Sequence, residues 1–305
     1  MDSCATNVEN LKTRFGPDGL YYFDRKTGIN ILLNEVHSPK KLWAKAPRQI
    51  SIALTNACDL PCSHCYAPKH RAVLKFDLLK EWLIDLDANG CMGVGLGGGE
   101  PTLYPFFTDL CDFVANNTGL ALTMTTHGHR LTPKIMSTVA LNVNFVRVSM
   151  DGINSTYESI RGKSFKEFIE NVSPLSQIVP FGINFVVNHK TVTDLAEAVD
   201  LAEKLGASEF LLLPEVAIRR GSEIDSCAKE KMQKWIRNYN GAMRLSISER
   251  NADGIQICEP FEKEIGANAY AHIDAKGVLK TSSFEMKGIR IAENGIMKAI
   301  EILQN

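Results

Sequence analysis

The sequence predicts an α/β protein in which six parallel strands alternate with helices, either as an open sheet or as a partial (β/α)6 barrel. Three observations predict it. Six short apolar runs recur between residues 50 and 213, each followed by an amphipathic stretch, and a hairpin-like segment lies on either side of the series. Strand–helix repetition of this kind calls for parallel strands joined by right-handed crossovers. The length of 305 residues suggests about two domains, although a single α/β barrel reaches about 250 residues.

In chain order, residues 1–47 read as an N-terminal hairpin appendage. Gly19–Phe23, a Gly28-containing turn and Ile29–Leu33 make the hairpin, and Lys40, Lys41 and Pro47 mark a linker. Residues 48–242 carry the repeating pattern. Its strands are expected at Ile50–Leu54, Met92–Leu96, Ala121–Thr125, Phe145–Met150, Gly182–Val187 and Glu209–Leu213. Helices are expected at Lys75–Asp87, Phe106–Ala115, Thr132–Val139, Phe165–Leu175, Val192–Leu205 and Ala228–Tyr239. Thr132-Pro133 and Thr193-Asp194 are helix starts, and Gly206 is a stop. Beyond about Met243 the rhythm ends. Residues 243–305 read as a short α+β extension, with a hairpin from Ala269–Ile273 and Val278–Ser282 and a closing helix, Gly295–Leu303.

Composition narrows the function classes. At 45% hydrophobic and 23% charged residues, disorder, collagen and coiled coil are disfavoured. No apolar run approaches the roughly 20 residues of a membrane helix. Met1–Asn7 lacks a basic region and an apolar core, so no export signal is expected and the location is read as cytoplasmic. Lys plus Arg (34) nearly balances Asp plus Glu (35), which disfavours nucleic acid as the main partner. Eight cysteines are too few for a disulfide scaffold of this size.

Three of those cysteines fall within eight residues, Cys58-Asp59-Leu60-Pro61-Cys62-Ser63-His64-Cys65. This C-x3-C-x2-C loop follows the first strand of the series. Soft thiolates suit an iron–sulfur cluster or zinc. Zinc would want a fourth ligand, for which only His64 or His70 is near. A cuboidal cluster on three thiolates leaves one iron open to an exogenous ligand. The iron–sulfur reading is therefore preferred, with three incidental thiols as the bland alternative.

The loop, with Tyr66 after it, resembles that of the radical S-adenosylmethionine (radical SAM) superfamily. Gly98-Gly99-Glu100-Pro101 resembles its GGE motif, Thr126-His127-Gly128 stands where relatives commonly carry Thr-Asn-Gly, and Ser149-Met150-Asp151-Gly152 resembles its Ser-x-Asp-Gly motif. The resemblance covers about residues 48–240. It implies a TIM-like partial barrel, one [4Fe–4S] cluster on Cys58, Cys62 and Cys65, and SAM on the open iron. The implied SAM-binding residues are Gly98, Gly99, Glu100, Ser149, Asp151, Arg161 and Asn188. Among them Glu100 would accept from the SAM ammonium, Ser149 and Asn188 would contact ribose or carboxylate, and Arg161 would hold the carboxylate. Asp151 reads equally as a turn cap, and Arg161 also as a solvated helix residue.

The extension resembles the opening of a SPASM or twitch module, but Thr281-Ser282-Ser283 stands where such relatives place a cysteine, and no cysteine follows Cys258. A degenerate module without an auxiliary cluster is expected. The implied activity is reductive cleavage of SAM and hydrogen abstraction from a small natural-product substrate such as a sugar or nucleoside, giving dehydrogenation, decarboxylation or epimerisation. The alternatives are modification of a ribosomal peptide precursor, with the Gly19–Leu33 hairpin docking its leader, and a non-catalytic iron–sulfur protein. Flavodoxin or ferredoxin is the expected electron donor. Candidate catalytic groups are His127, and Cys227 and Cys258 as hydrogen donors; His127 and His129 also read as packed histidines, and the two cysteines as buried, inert thiols. Arg219 and Arg220 read as an anion site or a solvated turn.

Overall fold

The structure is a computed structural model that describes residues 11–248, 252, 254–291 and 295–305. Met1–Asn7, read above for an export signal, lies outside the described residues. Two sheets form. The first is an antiparallel trio, β1 (Lys12–Gly16), β2 (Gly19–Phe23) and β3 (Asn30–Leu33). The β2–β3 pair is the expected hairpin; β1 is an addition. The second is a ten-stranded sheet of order β10-β9-β8-β7-β6-β5-β4-β11-β12-β13.

In that large sheet β4 (Gln49–Thr55), β5 (Gly93–Gly98), β6 (Ala121–Thr126), β7 (Phe145–Ser149), β8 (Phe181–Val187), β9 (Glu209–Pro214) and β10 (Arg244–Ile247) run parallel. Each strand adds on the same side of the last. Right-handed crossovers that never reverse put every helix on one face and curl the sheet into a partial barrel, whose ligands gather at the carboxyl ends of the strands. β10 is a seventh parallel strand, one beyond the six expected. Four residues without clean alternation leave little pattern to read, and pairing with β9 supplies the order.

The helices are α1 (Phe76–Ala88), α2 (Phe107–Asn117), α3 (Pro133–Asn142), α4 (Asn154–Arg161), α5 (Phe165–Val172), α6 (Leu195–Lys204), α7 (Ser226–Asn238) and α8 (Gly295–Gln304). α1 buries Leu79, Trp82, Leu83 and Leu86, one helical stripe. Thr132 caps α3 through its side chain, with Pro133 at the first position, as the sequence signals. Asp194 does not cap α6; its carboxylate accepts the Ile153 amide instead. α4 is an addition to the expected helices, because the Ser-Thr-Tyr-Glu-Ser stretch carries few apolar residues.

Strand alternation sorts the sheet into two chemistries. Ile50, Ile52, Leu54, Val94, Leu96, Val146, Val148, Ile183 and Phe185 are buried in the main core. The opposite, helix-free face carries Ser51, Gly93, Gly95, Gly97, Thr123, Thr125, Arg147, Ser149 and Asn184. The concave side of the barrel is therefore mostly small and polar.

Residues from both chain ends brace the barrel. β11 (Tyr270–Ile273) pairs in parallel with β4, and β12 (Val278–Lys280) and β13 (Ile289–Arg290) continue antiparallel beyond it. α8 lies beside α1. The N-terminal trio is bound through buried polar groups. Arg14 Nε and Nη2 donate to Glu264 Oε1 at 2.9 and 2.6 Å, and the Asp18 carboxylate accepts the amides of Glu262, Lys263 and Glu264. Arg25 donates to the carbonyls of Ala115, Thr118 and Leu120. Among the described residues no helix is long and apolar enough to cross a membrane.

Candidate active site

The cysteine loop leaves the carboxyl end of β4 and has no regular secondary structure. Cys58 and Cys65 are half-buried, Cys62 is buried, and all three are free thiols. The loop rests on the end of β5. The Gly99 amide donates to Thr55 O at 2.7 Å, and the Glu100 amide to Ala57 O at 2.8 Å. This contact explains the glycine pair. A Cβ on Gly98, where φ is +117°, would lie 2.3 Å from Thr55 O, and one on Gly99 would lie 2.1 Å from Ala57 O. The close approach these glycines permit in the structure is thus to the cysteine-loop backbone.

Glu100 is fully buried. Its Oε1 accepts from the Thr102 amide (3.2 Å), Thr102 Oγ1 (2.8 Å) and Thr126 Oγ1 (2.9 Å), and its Oε2 accepts from the His127 amide (3.0 Å). The His127 ring touches the same carboxylate, with Nε2 3.4 Å from Oε2, and lies 2.9 Å from Asp59 Oδ1. His127 Nδ1 accepts the His129 amide at 3.0 Å. A backbone N–H can only donate, so Nδ1 carries a lone pair and the ring proton sits on Nε2, donated to Asp59.

At the end of β7, Asp151 is buried and shared three ways. Oδ1 accepts the Val186 amide at 2.9 Å, while Oδ2 meets His64 Nε2 at 3.0 Å and the Arg161 guanidinium at the end of α4. Burial pushes the Asp151 carboxyl up, but Arg161 and His64 together outweigh it and hold it well below the usual range. Asn188, after β8, accepts the amides of Lys190 and Thr191 and donates to Glu215 Oε2 at 2.8 Å. Ser149 lies beside Asn184 on the concave face. The seven implied SAM residues thus stand at the carboxyl ends of β5, β7 and β8 or just beyond them.

The donor set fits an iron–sulfur cluster. Burial pushes the Cys58 and Cys62 thiols above their ordinary range, and each is raised further by a neighbouring cysteine. Bringing such thiols together as thiolates needs compensating cationic charge, which bound iron supplies. Lys69 Nζ adds a partial counter-charge 3.3 Å from Cys65 Sγ. Among the described residues, two of the five buried polar side-chain atoms without a hydrogen-bond partner are His64 Nδ1 and Arg161 Nε. One lies on the cysteine loop and the other on the arginine beside Asp151, which suits a polar cofactor such as SAM. A second possible donor set, Cys58, Asp59 and His127, has its donor atoms within 4.8 Å of one another. His127 cannot serve it as a neutral ligand, because Nε2 carries the proton.

Other expected residues are placed differently. Cys227, on α7, and Cys258 are both exposed, which overturns their reading as buried thiols. His127 is buried, with both ring nitrogens engaged, so it presents no free nitrogen to a substrate. His129 Nε2 lies 2.8 Å from Tyr157 OH, and burial, with His127 next, lowers its pKa to about 4. Arg219 and Arg220 are exposed. The contacts of Asp59 and His64, both inside the cysteine motif, are not expected from the sequence, which offers His64 only as a possible zinc ligand. Their partners are 68 and 87 residues away, a distance no local pattern reports.

The Radical SAM superfamily profile matches residues 52–203. The AdoMet-dependent heme synthase of Methanosarcina barkeri is 29% identical over 214 residues, covering 66% of this chain and 61% of that protein. The sporulation killing factor maturation protein SkfB of Bacillus subtilis is 25% identical over 247 residues, covering 75% and 60%. The chain thus spans about three-fifths of the length of these relatives. The crystal structure of Streptococcus suis SuiB bound to S-adenosylmethionine superposes with a TM-score of 0.75 at 13% identity, covering 95% of this chain and 86% of that one. That likeness shows the shared partial-barrel fold. The chain belongs to the radical SAM superfamily, whose enzymes use a [4Fe–4S] cluster and S-adenosylmethionine.

Proposed function

We propose that Cys58, Cys62 and Cys65 hold the cluster, that SAM binds beside it, and that the radical abstracts hydrogen from a small polar substrate such as a sugar or nucleoside. When bound, the cluster supplies an open iron and one electron for cleavage of SAM to a 5′-deoxyadenosyl radical. Arg161 Nε, free and buried, is the donor for the SAM carboxylate. Glu100 retains a lone pair on Oε2 for the ammonium, and Ser149 and Asn188 flank the ribose. The observation that carries the substrate reading is the concave face, where Thr125, Ser149 and Asn184 offer hydrogen bonds and Gly97 leaves open space. A polar site of this kind favours a hydroxyl-bearing ligand over an apolar one. The outcome is dehydrogenation, decarboxylation or epimerisation, with a flavodoxin or ferredoxin as reductant in the cytoplasm.

A second reading, modification of a peptide precursor, is favoured by β3, which among the described residues pairs on one side only. Ile29, Ile31 and Leu33 are exposed there, as a strand-adding peptide would need, and SkfB is a maturation protein. Anaerobic reconstitution tests the core proposal: about four irons per chain, as in a cuboidal cluster, and 5′-deoxyadenosine from SAM and dithionite are expected. The Cys58→Ala/Cys62→Ala/Cys65→Ala variant should lose both, and Cys258→Ala neither. Zinc in place of iron, or residual cluster in the triple variant, overturns it. Ile31→Asp/Leu33→Asp separates the substrate classes, since it should abolish turnover of a peptide and spare that of a sugar or nucleoside.

A further inference from the structure

We propose that two histidine–aspartate pairs, Asp59–His127 and His64–Asp151, pin the two ends of the cysteine loop to the ends of β6 and β7, so that the sulfurs are placed before iron arrives. Asp59 follows Cys58 and His64 precedes Cys65 in the sequence. Each pair therefore acts one residue from an outer thiol. The pairs are crossed in type, with the aspartate on the loop in one and on the barrel in the other.

The loop needs such anchoring. Among the described residues, the only backbone-to-backbone hydrogen bond inside 58–65 runs from the Cys65 amide to Cys62 O, at 3.4 Å. The barrel-side partners, by contrast, are firmly held. His127 is fixed by its amide on Glu100 and by the His129 amide on Nδ1, and Asp151 by the Val186 amide and Arg161. Both are buried, at 4% and 1% exposure. The imidazole geometry gives the first pair a direction, since Nε2–H can donate only outward to Asp59 or Glu100. His127 and His64 are thus positioning residues, acting on the cluster through the loop that carries its ligands.

The inference rests on the cluster reading, and its test separates the two. In iron-free wild-type protein, hydrogen exchange of the Leu60 and Cys65 amides, which donate to Cys58 Sγ and Cys62 O, should be protected. Asp59→Ala, a substitution on the exposed loop side that leaves the barrel anchors intact, and His127→Leu should each speed that exchange by about tenfold, the weight of one charge-assisted hydrogen bond. His127→Gln, which keeps an N–H near the position of Nε2, should restore protection. After reconstitution, the leucine and alanine variants should give a broadened electron paramagnetic resonance signal for the reduced cluster, and the glutamine variant the wild-type signal. Exchange of the Leu60 and Cys65 amides in wild type at the rate of an unfolded peptide overturns the inference, as do unchanged exchange and spectra in both Asp59→Ala and His127→Leu. Protection in iron-free wild type that is lost in the variants, with no four-iron cluster ever loading, keeps the clamp and sinks the cluster reading. Thermal melting that shows His127→Leu unfolded leaves the decision to Asp59→Ala.

Discussion

Replacing Glu100 with Gln removes one charge and exchanges one acceptor oxygen for an NH2 group in a fully buried position. Four donors converge on the carboxylate: the Thr102 amide, Thr102 Oγ1, Thr126 Oγ1 and the His127 amide. The hydroxyls can turn and accept from an amide, but the two backbone N–H groups cannot. They lie on opposite oxygens, so either orientation of the glutamine leaves one of them facing NH2. A buried donor without a partner costs about 1–3 kcal/mol, and the remaining bonds lose their charge assistance, so the loss should be about 2–4 kcal/mol. Urea unfolding of iron-free protein reads it as a lower midpoint at unchanged slope. From the sequence alone the same substitution is expected to weaken SAM binding more than it disturbs the cluster; the structure adds a loss of stability in the absence of any cofactor. An unfolding free energy within about 0.5 kcal/mol of wild type, the range of an inert surface change, would refute the hydrogen-bonding scheme.

Gly99→Ala would drive a methyl group into Ala57 O, so iron retention after reconstitution should fall sharply, whereas Gly97→Ala, with open space at its Cβ, should load normally. Arg14→Ala leaves Glu264 charged and buried, each side chain being 3% exposed in the pair, and should cost about 3–5 kcal/mol in urea, most of it recovered in Arg14→Met/Glu264→Met. His272 lies 2.7 Å from Ser51 Oγ, and burial, with Lys280 next, lowers its pKa to about 4 despite Asp274. The unfolded chain therefore binds a proton there at a higher pH than the fold does. Stability should fall as pH drops from about 6.5 to about 4, by as much as about 3 kcal/mol from this group, and His272→Gln should flatten that part of the profile measured by chemical denaturation.

Legibility from sequence followed how local each signal is. Thr132-Pro133 starts α3 and Gly206 ends α6 because a cap or a left-handed glycine acts within four residues. Thr193-Asp194 carries the same kind of signal, yet the Asp194 carboxylate is drawn to the Ile153 amide across the barrel rim. β1 and β10 were hidden because short edge strands owe their form to a partner strand more than to their own pattern.

The amino-acid order alone determined the alternation of strands and helices, the three-cysteine loop after the first parallel strand and the glycine pair after the second, since each is set by residue type and spacing along a short stretch. Only the tertiary structure decided what those residues touch. Gly98 and Gly99 make room for the cysteine-loop backbone, Glu100 spends its oxygens on Thr102, Thr126 and His127, and Asp151 gathers His64 and Arg161. The physical reason is that parallel strands bring their carboxyl ends together from far apart in the chain, so the hydrogen bonds of the site join residues whose separation no periodicity encodes.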